Sequence, residues 1–428
     1  MSSRIPGFYR LPPEARLSTI EERLGLRRDH LDSYSEKGLD IDLANSMIEN
    51  VIGTFALPVG MGINFLINNK DVVVPMVVEE PSVVAAVSNM ARLSRTSGGF
   101  WAESDPSVMI GQIQLLTENP QEVVSNLEAH LPALVQRTQG LYPRLEERGG
   151  GLRGFELRCI DYDEPGETAE SYVVVHLHLD CVDAMGANMV NTLVEKLAPE
   201  VSRLAGAPTG LRILSNLADK RLARAHVALR PEHLDHGDIT GEEVAEGIAA
   251  AYRFAYADPY RAATHNKGVM NGIDAVAVAT GNDWRAIEAG AHAYAARSGQ
   301  YRPMTSWKID SQGTLHGRIE VPIQVGVVGG PIKVHPTVQA NLEVLGIERA
   351  HQLAEVMAAV GLAQNLGALR ALSTEGIQQG HMRMHARSIA ATAGATPEES
   401  ASVVEGLCEA QDYSVERASE ILEELRNR

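Results

Sequence analysis

Residues Tyr172-Val173-Val174-Val175-His176-Leu177-His178-Leu179-Asp180-Cys181-Val182-Asp183-Ala184-Met185-Gly186-Ala187-Asn188 change register part-way along. Up to Asp180 the pattern is that of a half-buried strand. After Gly186 the apolar residues Val190, Leu193, Val194, Leu197 and Val201 recur at helical spacing. The stretch is therefore a strand (Tyr172 to Asp180), a glycine turn and a long helix (Ala187 to Leu204). The same grammar extends in both directions. Upstream, Ile110 to Leu116 alternates, Pro120 to Leu134 has helical spacing, and Phe155 to Ile160 alternates again. Downstream, Leu211-Arg212-Ile213-Leu214 is another short strand. Strand, helix, strand, strand, helix, strand predicts a small ferredoxin-like α+β layer, two helices on one face of an antiparallel sheet, over residues 108–219.

Both flanks have a more helical, Ala-rich texture, so the small layer is inserted in a larger domain spanning 1–107 and 220–375. Pro12-Pro13-Glu14 opens a helix carrying Leu17, Ile20 and Leu24, and a second helical stretch runs from Ile41 to Asn50. Val72 to Val78 is strand-like and ends at Glu79-Glu80-Pro81-Ser82, where a helix over Val83 to Leu93 begins. Further strands are expected at Ala225 to Leu229 and Gly317 to Val328, and a helix at Ala350 to Ala371. Residues 376–428 read as a separate helical unit. One of its helices starts at the capping box Thr396-Pro397-Glu398-Glu399 and another at Ser414. The fold class is thus α+β and multidomain: a large, mainly helical domain, an inserted ferredoxin-like layer and a C-terminal helical unit.

Composition narrows the function. The 428 residues carry 38 Lys+Arg against 55 Asp+Glu, a net charge of −17. No run of basic residues offsets it, so a nucleic-acid partner is not expected. The longest apolar stretch, Phe55 to Ile67, contains Pro58, Gly60 and Gly62 and is too short for a bilayer span. Met-Ser-Ser-Arg-Ile-Pro-Gly at the start has no apolar signal region. Cys159, Cys181 and Cys408 form no C-x-x-C pair and no disulfide framework, and a cytoplasmic location is expected.

Gly149-Gly150-Gly151-Leu152-Arg153-Gly154 matches G-x-G-x-x-G, but it follows a charged helix end and precedes a strand. A dinucleotide fingerprint needs the opposite order, so this is a loop. The turn Asp183-Ala184-Met185-Gly186-Ala187-Asn188 is better placed. It opens a helix whose free N–H groups could hold a pyrophosphate, unless Asp183 simply caps an ordinary turn. Gly326-Val327-Val328-Gly329-Gly330 could let a ligand approach the backbone closely. His381 and His385 stand at i, i+4, but Met382 occupies the place where a zincin needs Glu. The pair is open to three readings: surface groups, metal ligands or a catalytic acid. Arg261-Ala262-Ala263-Thr264-His265-Asn266-Lys267-Gly268 gathers potential cations in a stretch of small residues, although most lysines are only solvated. Thr280-Gly281-Asn282-Asp283-Trp284 follows the apolar run 275–279, so Asp283 is either a helix cap or a carboxylate at the end of a buried segment.

Six of these stretches, in this order, are Glu49-Asn50-Val51-Ile52-Gly53, Glu79-Glu80-Pro81-Ser82, Asp183 to Asn188, His265 to Gly268, Gly281 to Trp284 and Gly380-His381-Met382. Together they make the chain resemble 3-hydroxy-3-methylglutaryl-CoA (HMG-CoA) reductase of the class II, soluble bacterial type, over essentially its whole length. The resemblance implies catalytic roles for Glu80, Lys267, Asp283 and His381. It implies substrate contacts at Ser82, Arg261, Asn271, Gln364 and His385. Contacts to a nicotinamide cofactor fall on Asp183, Met185, Gly186, Ala187, Asn188, Asn216, Gly329 and Gly330. The small domain then binds the cofactor, the large domain binds substrate and dimerises, and the C-terminal unit is a mobile flap. Homodimers with shared active sites, often assembled into hexamers, belong to the same picture.

The implied reaction converts HMG-CoA into mevalonate and CoA with two NAD(P)H and no metal. Lys267 would steady the developing oxyanion. Glu80 would donate a proton, its pKa raised by sharing one with Asp283, and His381 would protonate the departing thiolate. Two positions depart from the family pattern. The N-terminal arginine used on CoA lies one residue out of register, with Tyr9 and Arg10 as candidates. Tyr142 stands where NADH-preferring members carry an acid, although Glu146 and Glu147 are close and favour NADH. Arg137 or Arg144 could instead accommodate the 2′-phosphate of NADPH. Two rival readings are a metal-dependent hydrolase built on His381 and His385, and a non-catalytic acyl-CoA-binding protein.

Overall fold

The computed structural model describes residues 2–34, 38–374, 386 and 388–427. Its inserted layer is built from β4 (Val108–Leu116), β5 (Gly151–Tyr162), β6 (Glu170–Asp180) and β7 (Thr209–Ser215) in the spatial order β5-β6-β4-β7. All neighbours are antiparallel, which is the ferredoxin-like order. One face carries Val173, Val175, Leu177 and Leu179 of β6. These pack with Val190, Leu193, Val194, Leu197 and Val201 of the long helix α7 (Ala187–Ala205). The alternation in β6 and the 3.6-residue period in α7 thus meet in one apolar core.

The helix expected over Pro120 to Leu134 is instead two, α4 (Pro120–Glu128) and α5 (Leu131–Thr138). Pro132 is responsible: it has no N–H to donate, and its ring collides with the carbonyl four residues back. A short helix, α6 (Pro143–Glu146), leads into Gly149–Gly151 and β5, so the G-x-G-x-x-G match is a helix-to-strand loop.

The larger part begins with α1 (Pro13–Leu24) and α2 (Ile41–Met47), followed by the hairpin β1 (Val59–Ile67) and β2 (Lys70–Val77). Helix α3 (Val83–Ser94) comes next, then β3 (Trp101–Ser104). Beyond the insert come β8 (Leu222–Leu229), α8 (Gly241–Ala257), α9 (Pro259–Ala279), α10 (Trp284–Ala295), β9 (Thr305–Ile309) and β10 (Leu315–Pro322). Helices α11 (Pro336–Leu345) and α12 (Ala350–Ser373) complete it. Strands β3, β8, β10 and β9 form a second antiparallel sheet in that order. Helix α12 is apolar nearly all round, from Leu353 through Leu369, and is buried against this sheet and α9.

The segment around Lys267 lies inside the 21-residue α9, which Asp258 caps and Pro259 enters. Strand β10 stops at Pro322 rather than running to Val328. Ile323 N still donates to Arg221 O in register with β8, and the chain then leaves that ladder: Gly326 N donates to Asn282 Oδ1 and Val327 N to Asp183 O. Near the C-terminus, α13 (Pro397–Ala410) starts at the Thr396–Glu399 capping box, and α14 (Val415–Arg426) starts at Ser414. They share a small core of their own through Val403, Leu407, Ala418 and Leu422. Among the described residues, no helix is long and apolar enough to cross a membrane.

Candidate active site

Glu80 stands in the β2–α3 turn, where Pro81 ends the strand and Ser82 is held at φ +82° as the N-cap of α3. That left-handed conformation is costly for a residue with a Cβ and marks a constrained turn. The Glu80 carboxylate accepts from Lys267 Nζ at 2.5 Å and from Asn271 Nδ2 at 3.4 Å. Lys267 and Asn271 are one turn apart on α9, so helix periodicity aims both at Glu80. A cleft of about 330 Å³ opens beside the turn, lined by Pro58, Gly60, Val78, Glu80, Ser82 and Val84 among others.

Gln364 of α12 packs against Gly272, next to Asn271. It is buried, and its Oε1 has no hydrogen-bond partner among the described residues. A buried acceptor without a donor costs free energy until a ligand supplies one. Arg261 begins the same helix, half-buried, and burial pushes its guanidinium below the usual range.

The second group assembles elsewhere. Helix α7 has Gly186 at its N-cap, with φ +100° and no side chain capping it. Its first N–H groups are therefore open to an anion. A Cβ at Gly186 would come within 2.3 Å of Cys181 Sγ, so only glycine fits there. The buried Arg221 holds this turn by donating to the carbonyls of Ala184 and Met185, each at 3.2 Å, and to Val325 O. Desolvation lowers its pKa to about 10. Asn282 grips Gly326 through both backbone groups. Gly326 in turn lies so close to the α7 turn that a Cβ would meet Met185 N at 2.7 Å. The two glycine-rich turns suspected from the sequence are therefore in contact. Gly329 and Gly330 follow at positive φ, and the Asn216 carbonyl accepts from Gln324 close by. A cleft of about 510 Å³ lies against the α7 turn, lined by Arg144, Arg148, Ala184, Met189 and Val328 among others.

Asp183 behaves differently from a ligand-facing acid. It is 2% exposed and accepts from Arg148 at 2.8 Å, Arg349 at 2.9 Å and Ala350 N at 3.1 Å. Its carboxylate locks the α7 turn to the start of α12. Nor does Asp283 lie in a buried pocket or beside Glu80. Its side chain is 42% exposed, caps α10 through Ala286 N, and pairs with Arg285 at 3.3 Å. Lys267 and the end of α9 at Ala279 are twelve residues apart, or ~18 Å along the axis. Asp283 follows that end, next to the Asn282–Gly326 contact.

A carboxyl group that the fold does perturb is Asp274 of α9, which faces Glu288 of α10. Burial, with the hydrogen bond and charge of Glu288, raises the Asp274 carboxyl well above its usual range. The sequence carries no sign of this pair, because its members lie fourteen residues apart on different helices. Arg221 and Gln324 were equally silent. His381 and His385, with Gly376 and Gly380, lie outside the described residues.

The hydroxymethylglutaryl-coenzyme A reductase family model matches residues 12–386. A 3-hydroxy-3-methylglutaryl-coenzyme A reductase of Archaeoglobus fulgidus is 50% identical, over 100% of this chain and 96% of its own. A probable reductase of the same name from Borreliella burgdorferi is 33% identical, over 87% of this chain and 84% of its own. Among solved structures, the Streptococcus pneumoniae reductase superposes with a TM-score of 0.83 at 39% identity, covering 98% of this chain and 99% of that one. A class II structure from the same organism, bound to NADPH in open conformations, gives 0.81 at 40% identity over 97% and 100%. Neither the hydrolase nor the acyl-CoA scaffold reading finds support in these likenesses. With its motifs, fold and near full-length similarity in agreement, this chain belongs to the hydroxymethylglutaryl-coenzyme A reductase family.

Proposed function

We propose that this chain interconverts HMG-CoA and mevalonate plus CoA by two successive hydride transfers, and that each active site is assembled from two copies of the chain. One observation carries the shared site. The acyl half (Glu80, Lys267, Asn271, Gln364) gathers about the middle of α9, whereas the cofactor half (the α7 turn, Gly326–Gly330, and Asp283 beside them) lies past its C-terminal end. Lys267 stands ~18 Å along the axis from that end, too far for a hydride to pass from a nicotinamide held there. A second copy related by a two-fold axis brings the cofactor half of one chain to the acyl half of the other, and does so reciprocally. Apolar side chains left in solvent support this: Ile52 is fully exposed and Phe55 is 89% exposed, within and just after the Glu49–Gly53 motif. A hexamer of three such dimers extends the same proposal.

Within the shared site Lys267 faces the thioester carbonyl, and its fixed ammonium stabilises the oxyanion as charge builds. Glu80, already bonded to Lys267, transfers the proton, and Asp283 of the second copy completes the charge set. Ser82, Arg261, Asn271, Gln364 and His385 hold the hydroxymethylglutaryl part, with the Gln364 Oε1 acceptor suited to a substrate hydroxyl. His381, arriving with the C-terminal unit, protonates the CoA thiolate. Bound reduced nicotinamide supplies one hydride in each step. The residues present fit that cofactor. The uncapped α7 N-terminus (Gly186, Ala187, Asn188) suits the pyrophosphate, while Met185, Asn216, Gly329 and Gly330 border it and Asp183 holds the turn in shape.

The choice between NADH and NADPH rests on the cleft wall formed by α6. Tyr142 is turned inward, donating to Met189 O at 2.9 Å, and Glu146 accepts from Gly140 N. Arg137 is drawn to Glu200. Glu147 and Arg144 remain in the cleft lining. Glu147 suits a ribose 2′-hydroxyl and carries the NADH preference. Arg144, with no ion-pair partner among the described residues, suits a 2′-phosphate and lets NADPH bind.

The test is loss of NAD(P)H absorbance on adding HMG-CoA, with two equivalents oxidised per mevalonate formed. No oxidation with either cofactor would end the proposal. Arg144→Ala should cut kcat/KM for NADPH by about 10-fold or more and leave NADH nearly untouched. An equal loss for both would remove Arg144 from the choice.

A further inference from the structure

One face of the small sheet is covered by α7, and three metal-ligating side chains converge on the opposite face, where His176 is buried and Glu156 is exposed. Glu156 of β5 stands directly opposite His176 of β6, and His178 follows two residues on, so all three project to the same side. One ligand atom from each lies within 4.8 Å of the others. His178 Nε2 is 3.7 Å from Glu156 Oε2, and this buried nitrogen has no hydrogen-bond partner among the described residues. Gln112, the neighbour of His176 on β4, holds the His176 ring through Nε2 at 2.9 Å. Gln112 Nε2 can only donate, so with His176 Nδ1 on a metal the amide would turn its Oε1 to accept the ring's Nε2–H, the outer bond by which proteins orient a ligating imidazole.

We propose that His176, His178 and Glu156 form a binding site for a divalent transition metal of the Zn²⁺ class, separate from the reductase chemistry. Donors at ~2.0–2.1 Å around a tetrahedral ion stand about 3.3 Å apart, so the triad needs to close by about 1.5 Å at most. The Glu156 side chain is 47% exposed and free to make that movement. Two imidazoles and one carboxylate leave a coordination position open to water, a donor set that suits Zn²⁺, Co²⁺ or Fe²⁺ rather than Mg²⁺ or Ca²⁺. The ion would clip β5 to β6, the strand that continues into the cofactor turn at Asp180 to Asn188. Its expected effect is to stabilise the small domain, with no role in hydride transfer.

The experiment titrates Zn²⁺, then Co²⁺, into tag-free, chelator-treated full-length protein. One equivalent per chain should bind, raise the melting temperature, and give Co²⁺ visible ligand-field bands of a low-coordinate site. Glu156→Gln, at an exposed position that cannot unfold the chain, should weaken binding by at least ~10-fold. His178→Asn should weaken it further and abolish the Co²⁺ bands. A His381→Ala/His385→Ala variant should bind the same equivalent as wild type, which separates this site from the other histidine pair. Zn²⁺ affinity unchanged in Glu156→Gln and His178→Asn, or binding lost only with His381 and His385, would overturn the proposal.

Discussion

Lys267 is 60% exposed, and its bond to Glu80 crosses from α9 to the β2–α3 turn. So exposed a pair contributes at most ~1 kcal/mol to stability, which separates its chemical role from its structural one. Lys267→Ala should keep the wild-type melting temperature while kcat falls by ~10²–10³, the cost of one oxyanion donor. Near-normal turnover in that variant would remove Lys267 from the mechanism. Asp274 makes the opposite case, a charge that the fold suppresses. Burial and Glu288 raise its pKa, so the folded state retains a proton that the unfolded chain gives up at ~4. The associated stability is therefore present below that pH and is lost as pH climbs through the raised value. Nearby, His292 Nδ1 bonds the Tyr301 hydroxyl at 2.7 Å. Asp274→Asn, which cannot ionise, should show a flatter decline of melting temperature between about pH 4 and 8. Parallel profiles for variant and wild type would show that the fold does not hold a proton on Asp274.

At the scale of elements, the cofactor half depends on a contact between two turns from distant parts of the chain. Gly326 touches the backbone of Met185, Asn282 fastens Gly326, and Arg221 fastens the turn from beneath. A methyl group at Gly326 must push the turns apart. Gly326→Ala should cost ~1–3 kcal/mol by overpacking. It should also raise KM for the cofactor with little change in KM for HMG-CoA, since Glu80 and Lys267 meet at the middle of α9, ~18 Å from its C-terminal end. Cofactor KM equal to wild type would mean that the two turns do not form one site. The turn residues were legible because glycine clusters at a strand–helix junction have few other uses. Arg221 was not, because a lone arginine in sequence carries no sign that it will be buried.

For the whole molecule, the separation of Lys267 from Asp283 makes a quantitative prediction. Lys267→Ala and Asp283→Ala homodimers should each be nearly inactive. When the two are mixed and allowed to exchange, half the dimers are heterodimers. Each of these contains one site with both residues intact, so activity should return to about a quarter of wild type. No recovery, with exchange verified by mass, would place both residues in one chain's site and refute the shared assembly.

Much of this protein was written locally. Alternation in β6, helical period in α7, the caps at Thr396 and Ser414, and the strand–helix order of the insert all arise from residues a few positions apart, where backbone geometry decides. Six short motifs were enough to identify the family, and two of the residues they named, Glu80 and Lys267, are joined by the fold at 2.5 Å across 187 residues. Tertiary structure alone decided what distance and burial do to those residues. It spent Asp183 on Arg148 and Arg349, left Asp283 exposed just past the end of α9, and buried Asp274 against Glu288. It also gathered Glu156, His176 and His178 on one sheet face. Charge, solvation and proximity depend on which surfaces meet, and that is settled only when the whole chain packs.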